Sequence, residues 1–295
     1  MFATIGRSWQ LYKVCWRVLL HDKELLVFPL ISTIALIITM AAIFGSGLVF
    51  RAADSLEGGL VLGPADFLIM GVFYFINYFI IIYFNAALIG AARIRLRGGD
   101  PTLRDGFRIA NSNLIGIIGW AFISAIVSLI FYALEKAARG RGGFGGIALM
   151  ITTWLLRGAW SVFTYLVIPV LVVEGVGPIE AIKRSASLLR RTWGEQLVSR
   201  FGFDLMVIIV GLPIVLVAVA IGVVIPQPAG LVIAVAFGVV ALGALILVTS
   251  ALKAIYVAAL YEYATDGALP DSFPREVVAD SWAPKGGPQF GPYRP

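Results

Sequence analysis

The chain has 295 residues, of which 60% are hydrophobic and 14% charged, with a formal charge of +6 and a mean hydropathy of +0.93. Soluble domains carry about 25% charged residues, and so few polar side chains cannot cover so many apolar ones in water. A water-soluble globular domain is therefore excluded, and the composition is that of an integral membrane protein.

The single cysteine, Cys15, excludes an internal disulfide. The single histidine, His21, excludes zinc, haem or iron–sulfur sites built from several His or Cys ligands. Residues 1–24 carry Arg7, Lys13, Arg17, Asp22, Lys23 and Glu24, and the apolar run after them is too long for the core of a signal peptide. The segment reads as a retained first span.

A helix needs about 20 residues to cross the hydrocarbon. The pattern predicts an all-α, polytopic bundle of six spans, near 25–50, 67–92, 114–134, 150–173, 205–225 and 230–255, in a single transmembrane domain over 1–265. Residues 205–252 contain no charge. As one helix they would be about 72 Å long at 1.5 Å per residue, more than twice the membrane core, so the chain must turn. Pro226-Gln227-Pro228 is the natural place. Residues 266–295, rich in Pro and Gly, read as a disordered tail.

Six spans put both termini on one side. Seventeen Lys and Arg lie in the segments of that side and four (Arg51, Lys136, Arg139, Arg141) on the other. By the positive-inside rule both termini face the cytoplasm, and the expected location is the inner membrane. The first outer loop, 51–66, is acidic, while 139–146 is glycine-rich and basic, the one feature against this orientation.

Three inward segments read as short amphipathic surface helices. Over 5–20, Ile5, Trp9, Tyr12, Trp16, Leu19 and Leu20 share a face, with Arg7, Gln10 and Arg17 away from it. Over 102–111, Leu103, Phe107 and Ala110 align. Over 178–197, Ile179, Ile182, Ala186, Leu189, Trp193 and Leu197 recur at helical spacing, flanked by Lys183, Arg184, Arg190 and Arg191. Those four cations are the candidate contacts to anionic lipid headgroups. The plainer alternative is that such helices connect spans and set topology. Before two of these helices, and again near 270, a glycine turn is followed by a proline: Pro101, Pro178 and Pro270. A unit of one surface helix and two spans fits three times, although Gly and Pro mark any turn.

Within the spans three polar residues are candidate sites. Asn77 and Asn85 lie in the second span, either as interhelical hydrogen bonders or as the lining of a cavity. Arg157, in Trp154-Leu-Leu-Arg-Gly-Ala-Trp160, either reaches the outer interface between two belt tryptophans or sits deeper and needs a carboxylate or water. Ala86 and Gly90, and Gly238 and Gly243, are small residues suited to close helix approach, and Pro169 and Pro213 are candidate kinks.

No phosphate-binding loop, H-E-x-x-H or G-x-S-x-G motif is present. The expectation is a non-enzymatic protein without cofactor, metal or nucleic-acid partner, in contact with membrane lipids and with other membrane proteins. The alternative is a transporter for a lipid or small hydrophobic solute.

Ser8-Trp9-x-Leu11-x-Lys13 and Asp22-Lys23-Glu24-Leu25-Leu26-x-Phe28-Pro29, with Ala181-Ile182-Lys183-Arg184-Ser185 continuing to Trp193-Gly194, resemble an uncharacterised family of prokaryotic six-span membrane proteins. The resemblance runs to about residue 275 and implies architecture without a catalytic role. More loosely, the chain is similar to the membrane domain found beside some glycerophosphodiesterases, which implies a membrane module and not the hydrolase chemistry.

Overall fold

The structure is a computed structural model. It describes residues 2–45, 64–140, 142–191, 196–226 and 228–266, with the side chains of 10–43, 45, 68–140, 142–189, 207–226 and 228–266. Residues 51–63 of the expected outer loop, the residues beyond Asp266 with Pro270, and the side chains of Ile5, Arg7, Trp9, Arg190, Arg191, Trp193 and Leu197 lie outside the described residues.

All described secondary structure is helical. The order is α1 (Phe2–His21), a 3-10 turn (Lys23–Leu26), α2 (Val27–Gly45), α3 (Pro64–Leu96), α4 (Leu103–Ser112), α5 (Leu114–Gly140), α6 (Gly143–Phe163), α7 (Val167–Glu174), α8 (Pro178–Arg191), α9 (Gln196–Val224) and α10 (Ala229–Asp266). Six stretches are long and apolar enough to cross a membrane: Lys23–Ile43, Leu68–Leu96, Leu114–Gly140, Gly143–Glu174, Val207–Val224 and Ala229–Asp266. The all-α, six-span class expected from the sequence is the observed one. The element order is one short helix followed by two spans, three times over. Two of the three expected turns share a geometry. Gly98 and Gly175 both have positive φ, 81° and 65°, and each precedes a proline and a surface helix.

Observed spans differ from the expected ones mainly at their ends. The second and sixth run on to Leu96 and Asp266, because the charges that mark a span's end in sequence stay helical here and pair with one another. The fourth is interrupted between Phe163 and Val167. Pro169 explains it: its ring displaces the carbonyl four residues back, and it has no N–H to donate to it. The orphaned groups are met from outside the span. Ser185 of α8 donates to the Phe163 carbonyl (2.7 Å) and accepts from the Leu166 amide (3.1 Å). Pro213, in contrast, lies inside an uninterrupted α9. Between α9 and α10 the chain turns at Pro226 and Pro228, as expected, with the Gly230 amide donating to the Pro226 carbonyl (3.1 Å).

The chain divides into two compact units. One comprises Met1–Pro29, Ala91–Leu103 and Arg190–Pro295, the other Leu30–Gly90 and Arg104–Leu189. In the first, α1 packs on α9 and α10, burying Leu11, Val14, Cys15, Val18 and Leu19. Ala251–Leu252 and Ala254–Tyr261 of α10 are buried in the same unit. Helices in lipid gain nothing from hiding apolar surface, so close packing of small residues holds them. A Cβ added at Gly222 would sit 3.4 Å from the Cβ of Ala234, and one at Gly211 3.5 Å from Leu245. Gly238 makes an ordinary contact with Ala218, and nothing lies near Gly243. Outward side chains such as Leu216, Val223, Val239 and Val240 are exposed and apolar, as a lipid-facing surface must be.

In the second unit α5 packs on α6 and α7. Trp120 stacks on Trp160 with ring centres 5.9 Å apart. Gly90 is buried where α4 crosses α3; a Cβ there would lie 2.8 Å from Cγ2 of Ile109. Phe107 of α4 stacks on Tyr83 and meets Phe84 edge-on, and the Tyr83 hydroxyl donates to Asn111 Oδ1 (2.8 Å). Asn113 Nδ2 donates to the carbonyls of Ile109 (3.0 Å) and Val172 (3.3 Å), tying the start of α5 to the end of α7.

The buried faces of α1 and α8 match only in part those the spacing predicts, while Ala110 of α4 is buried as expected. In α8 the buried residues are Ala181, Ser185, Leu188 and Leu189, while Ile179 is exposed. In α1 the buried face is Leu11, Val14, Cys15, Val18 and Leu19, of which Leu19 belongs to the expected stripe, while Trp16 and Leu20 are exposed.

Candidate functional site

The charged centre of the first unit is built on three arginines at alternate positions, Arg93, Arg95 and Arg97. At 100° per residue, Arg93 and Arg97 fall about 40° apart on a helix, and Arg95 points the opposite way. The structure follows that arithmetic. Arg93 pairs with Oε1 of Glu262, and Arg97 bonds Oε2 of the same carboxylate through Nε (3.0 Å) and Nη2 (2.7 Å). Arg97 also reaches Asp266 at 3.3 Å. On the other face Arg95 pairs with both oxygens of Asp22, which sits between α1 and the 3-10 turn, and with Asp100 at 2.7 Å.

The backbone prepares this geometry. The α3 helix ends in a Schellman motif: the Gly98 amide donates to Arg95 (3.0 Å) and the Gly99 amide to Ile94 (2.9 Å). Gly98 takes the left-handed conformation that a residue with a Cβ avoids. The arginines complement the negative end of the helix dipole. Glu262 and Asp22 are 7% and 8% exposed at the side chain, whereas Arg97 keeps 52% exposure. The hydrogen bond to Glu262 holds the Arg97 guanidinium above the usual arginine value. Each buried carboxylate is thus closed by guanidinium donors, and the cluster joins the ends of α1, α3 and α10. In the sequence these arginines stand out only as topology signals. The available signal was two carboxylates at the ends of apolar runs, Asp22 and Glu262, and one dense Arg cluster elsewhere.

The residues singled out from sequence are not brought together. Asn77 donates to the Phe73 carbonyl of its own helix (2.8 Å). Asn85 is half-buried, and among the described residues its amide has no hydrogen-bond partner. Arg157 pairs with Glu135 of α5 at 2.7 Å and lies over the Phe131 ring, 5.2 Å from its centre. No hydrogen bond or ion pair links Asn77, Asn85 and Arg157 to one another among the described residues. Lys183 is exposed. Arg184 bonds Glu174 at 3.1 Å, which anchors α8 to the end of α7. Arg190 and Arg191 have no described side chains. Among the described residues, no three His, Cys, Asp or Glu side chains gather as a metal site.

Six apolar helical spans with charged clusters at their ends define a polytopic integral membrane protein. The chain belongs to a family of unknown function, DUF6159, whose model matches residues 64–270. That match includes Ala181–Gly194, one of the stretches behind the resemblance noted above, and begins after Ser8–Pro29. No curated protein matches the chain, and no solved structure matches it.

Proposed function

We propose that this protein is a non-enzymatic structural or interaction component of the cytoplasmic membrane, with both termini in the cytoplasm. One observation carries the reading. The buried carboxylates at the span ends, Glu262 and Asp22, are neutralised by Arg93, Arg97 and Arg95 within the same unit, so these charges hold the architecture together. Asn77 is satisfied by the Phe73 carbonyl of its own helix, so that amide is not left open for a solute. The 17-to-4 distribution of positive charge supports the orientation. Lys183, exposed on α8, supports a contact with anionic lipid or a partner protein, and Arg190 and Arg191 stay candidates for it from the sequence alone.

The rise along the helices supports an outer-interface position for Arg157. Glu135 lies about 30 Å along α5 from Leu114, and Arg157 about 25 Å from Glu174, close to one hydrocarbon thickness.

The second reading is a transporter for a lipid or small hydrophobic solute, and the half-buried, unbonded amide of Asn85 favours it. Single cysteines at positions 77 and 85, in a Cys15→Ala background, separate the two. The structural reading expects no reaction with a membrane-impermeant maleimide at either position. Labelling at both, blocked by a co-purified lipid or solute, would replace it with transport.

A further inference from the structure

We propose that α1 carries a binding site for the headgroup of an anionic phospholipid, formed by Tyr12, Lys13, Trp16 and Arg17. Among the described residues, these four line an open groove of about 430 Å³. The helix has three distinct flanks. At 100° per residue, Leu11, Val14, Cys15, Val18 and Leu19 span one, and these are the residues buried against the protein. Tyr12, Trp16 and Leu20 form the second. Lys13, Arg17 and His21 form the third, at four-residue spacing beside it.

An amphipathic helix that served only to pack on its neighbours would have one apolar flank. This one has two. Trp16 and Leu20 remain 37% and 52% exposed after packing is complete. Tyr12 and Trp16 stack at 6.2 Å with their planes 13° apart, making a flat apolar wall. Beside that wall stand two exposed cations one helical turn apart. A phospholipid presents the matching pair of surfaces: a phosphate for Lys13 and Arg17, and the glycerol and upper acyl carbons for the aromatic wall. A small inorganic anion would use the cations and leave the wall uncovered.

The helix is held in register for this role. Asp22, one residue beyond α1, is clamped by Arg95 at the end of the second span, which sets α1 at the level where apolar helix gives way to charge. His21 Nδ1 donates to the Arg17 carbonyl (2.9 Å), securing the last turn. The site goes beyond the structural reading above and does not depend on it, because a scaffold and a transporter would carry it alike.

The test is lipid retention by the full-length protein in native mass spectrometry, titrated with phosphatidylglycerol and, separately, phosphatidylcholine. We expect one phosphatidylglycerol to bind ahead of any phosphatidylcholine. Lys13→Gln with Arg17→Gln should weaken that binding by about tenfold to thirtyfold, and Lys13→Arg with Arg17→Lys should keep it. Trp16→Ala should weaken it by a smaller factor. An unchanged titration in the double Gln variant, with an unchanged melting temperature, overturns the proposal. So does release of the lipid by inorganic phosphate, which would make a free anion the ligand.

Discussion

Arg93 and Glu262 stand 169 positions apart in the chain and meet as an ion pair whose carboxylate is 7% exposed. Arg97 takes the other carboxylate oxygen, so one buried anion holds two cations, one from the last turn of α3 and one just beyond its end. Losing one partner of a fully buried pair costs about 3–5 kcal/mol. Both arginines here keep access to solvent, which lowers the cost of stranding them.

Glu262→Ala should therefore destabilise the protein by about 1–3 kcal/mol. Denaturation in detergent measures it. Arg93→Ala combined with Glu262→Ala should cost less than the sum of the two single changes. Additive losses would mean that the pair is not coupled.

Gly90→Ala should cost about 1–3 kcal/mol, since the new methyl would lie 2.8 Å from Ile109 and α4 would have to move. Gly243→Ala is the matched control. Nothing lies within 4 Å of it, and alanine favours helix by about 1 kcal/mol over glycine. Melting temperatures should fall for the first and hold or rise for the second.

Ser185→Ala removes both hydrogen bonds that satisfy the break in the fourth span. The Phe163 carbonyl and Leu166 amide would lose their bonds to that hydroxyl, at about 1–3 kcal/mol for an unmet buried group. Hydrogen exchange at the Leu166 amide should speed up while α9 and α10 keep their protection. Equal exchange in both proteins would remove the role assigned to this hydroxyl.

Burial pushes the Cys15 thiol pKa up. The folded protein should therefore resist thiol reagents through the pH range where an exposed cysteine, with a pKa of about 8.5, becomes reactive. The sign of the linkage follows. Above about pH 8.5 the unfolded chain releases this proton and the folded one keeps it, so the contribution to stability declines as pH rises. Maleimide labelling of native and denatured protein across pH tests the first point. Cys15→Ala should flatten the alkaline part of the stability profile.

The spans were legible because crossing hydrocarbon is a local requirement. About 20 apolar residues in a row suffice to state it, and the break at Pro226 and Pro228 followed from length alone. Gly90 was legible as a close-approach position because a missing side chain serves little else in a helix. Which flank of α1 and α8 would be buried was not legible. Each helix has two apolar flanks, and which of them meets a neighbour is set by elements distant in the sequence.

The charged cluster marks the same boundary from the other side. The sequence by itself determined the class of protein, the number of spans and the spacing that sends Arg93 and Arg97 one way and Arg95 the other. Helical periodicity and the cost of polar backbone in lipid act within a single segment, so a single segment records them. Only the tertiary structure decided that Glu262 and Asp22 are the anions those arginines meet, and that Ser185 completes a span to which it does not belong. Those pairings join residues between 19 and 169 positions apart. They form because folding brings together groups that could not be buried alone.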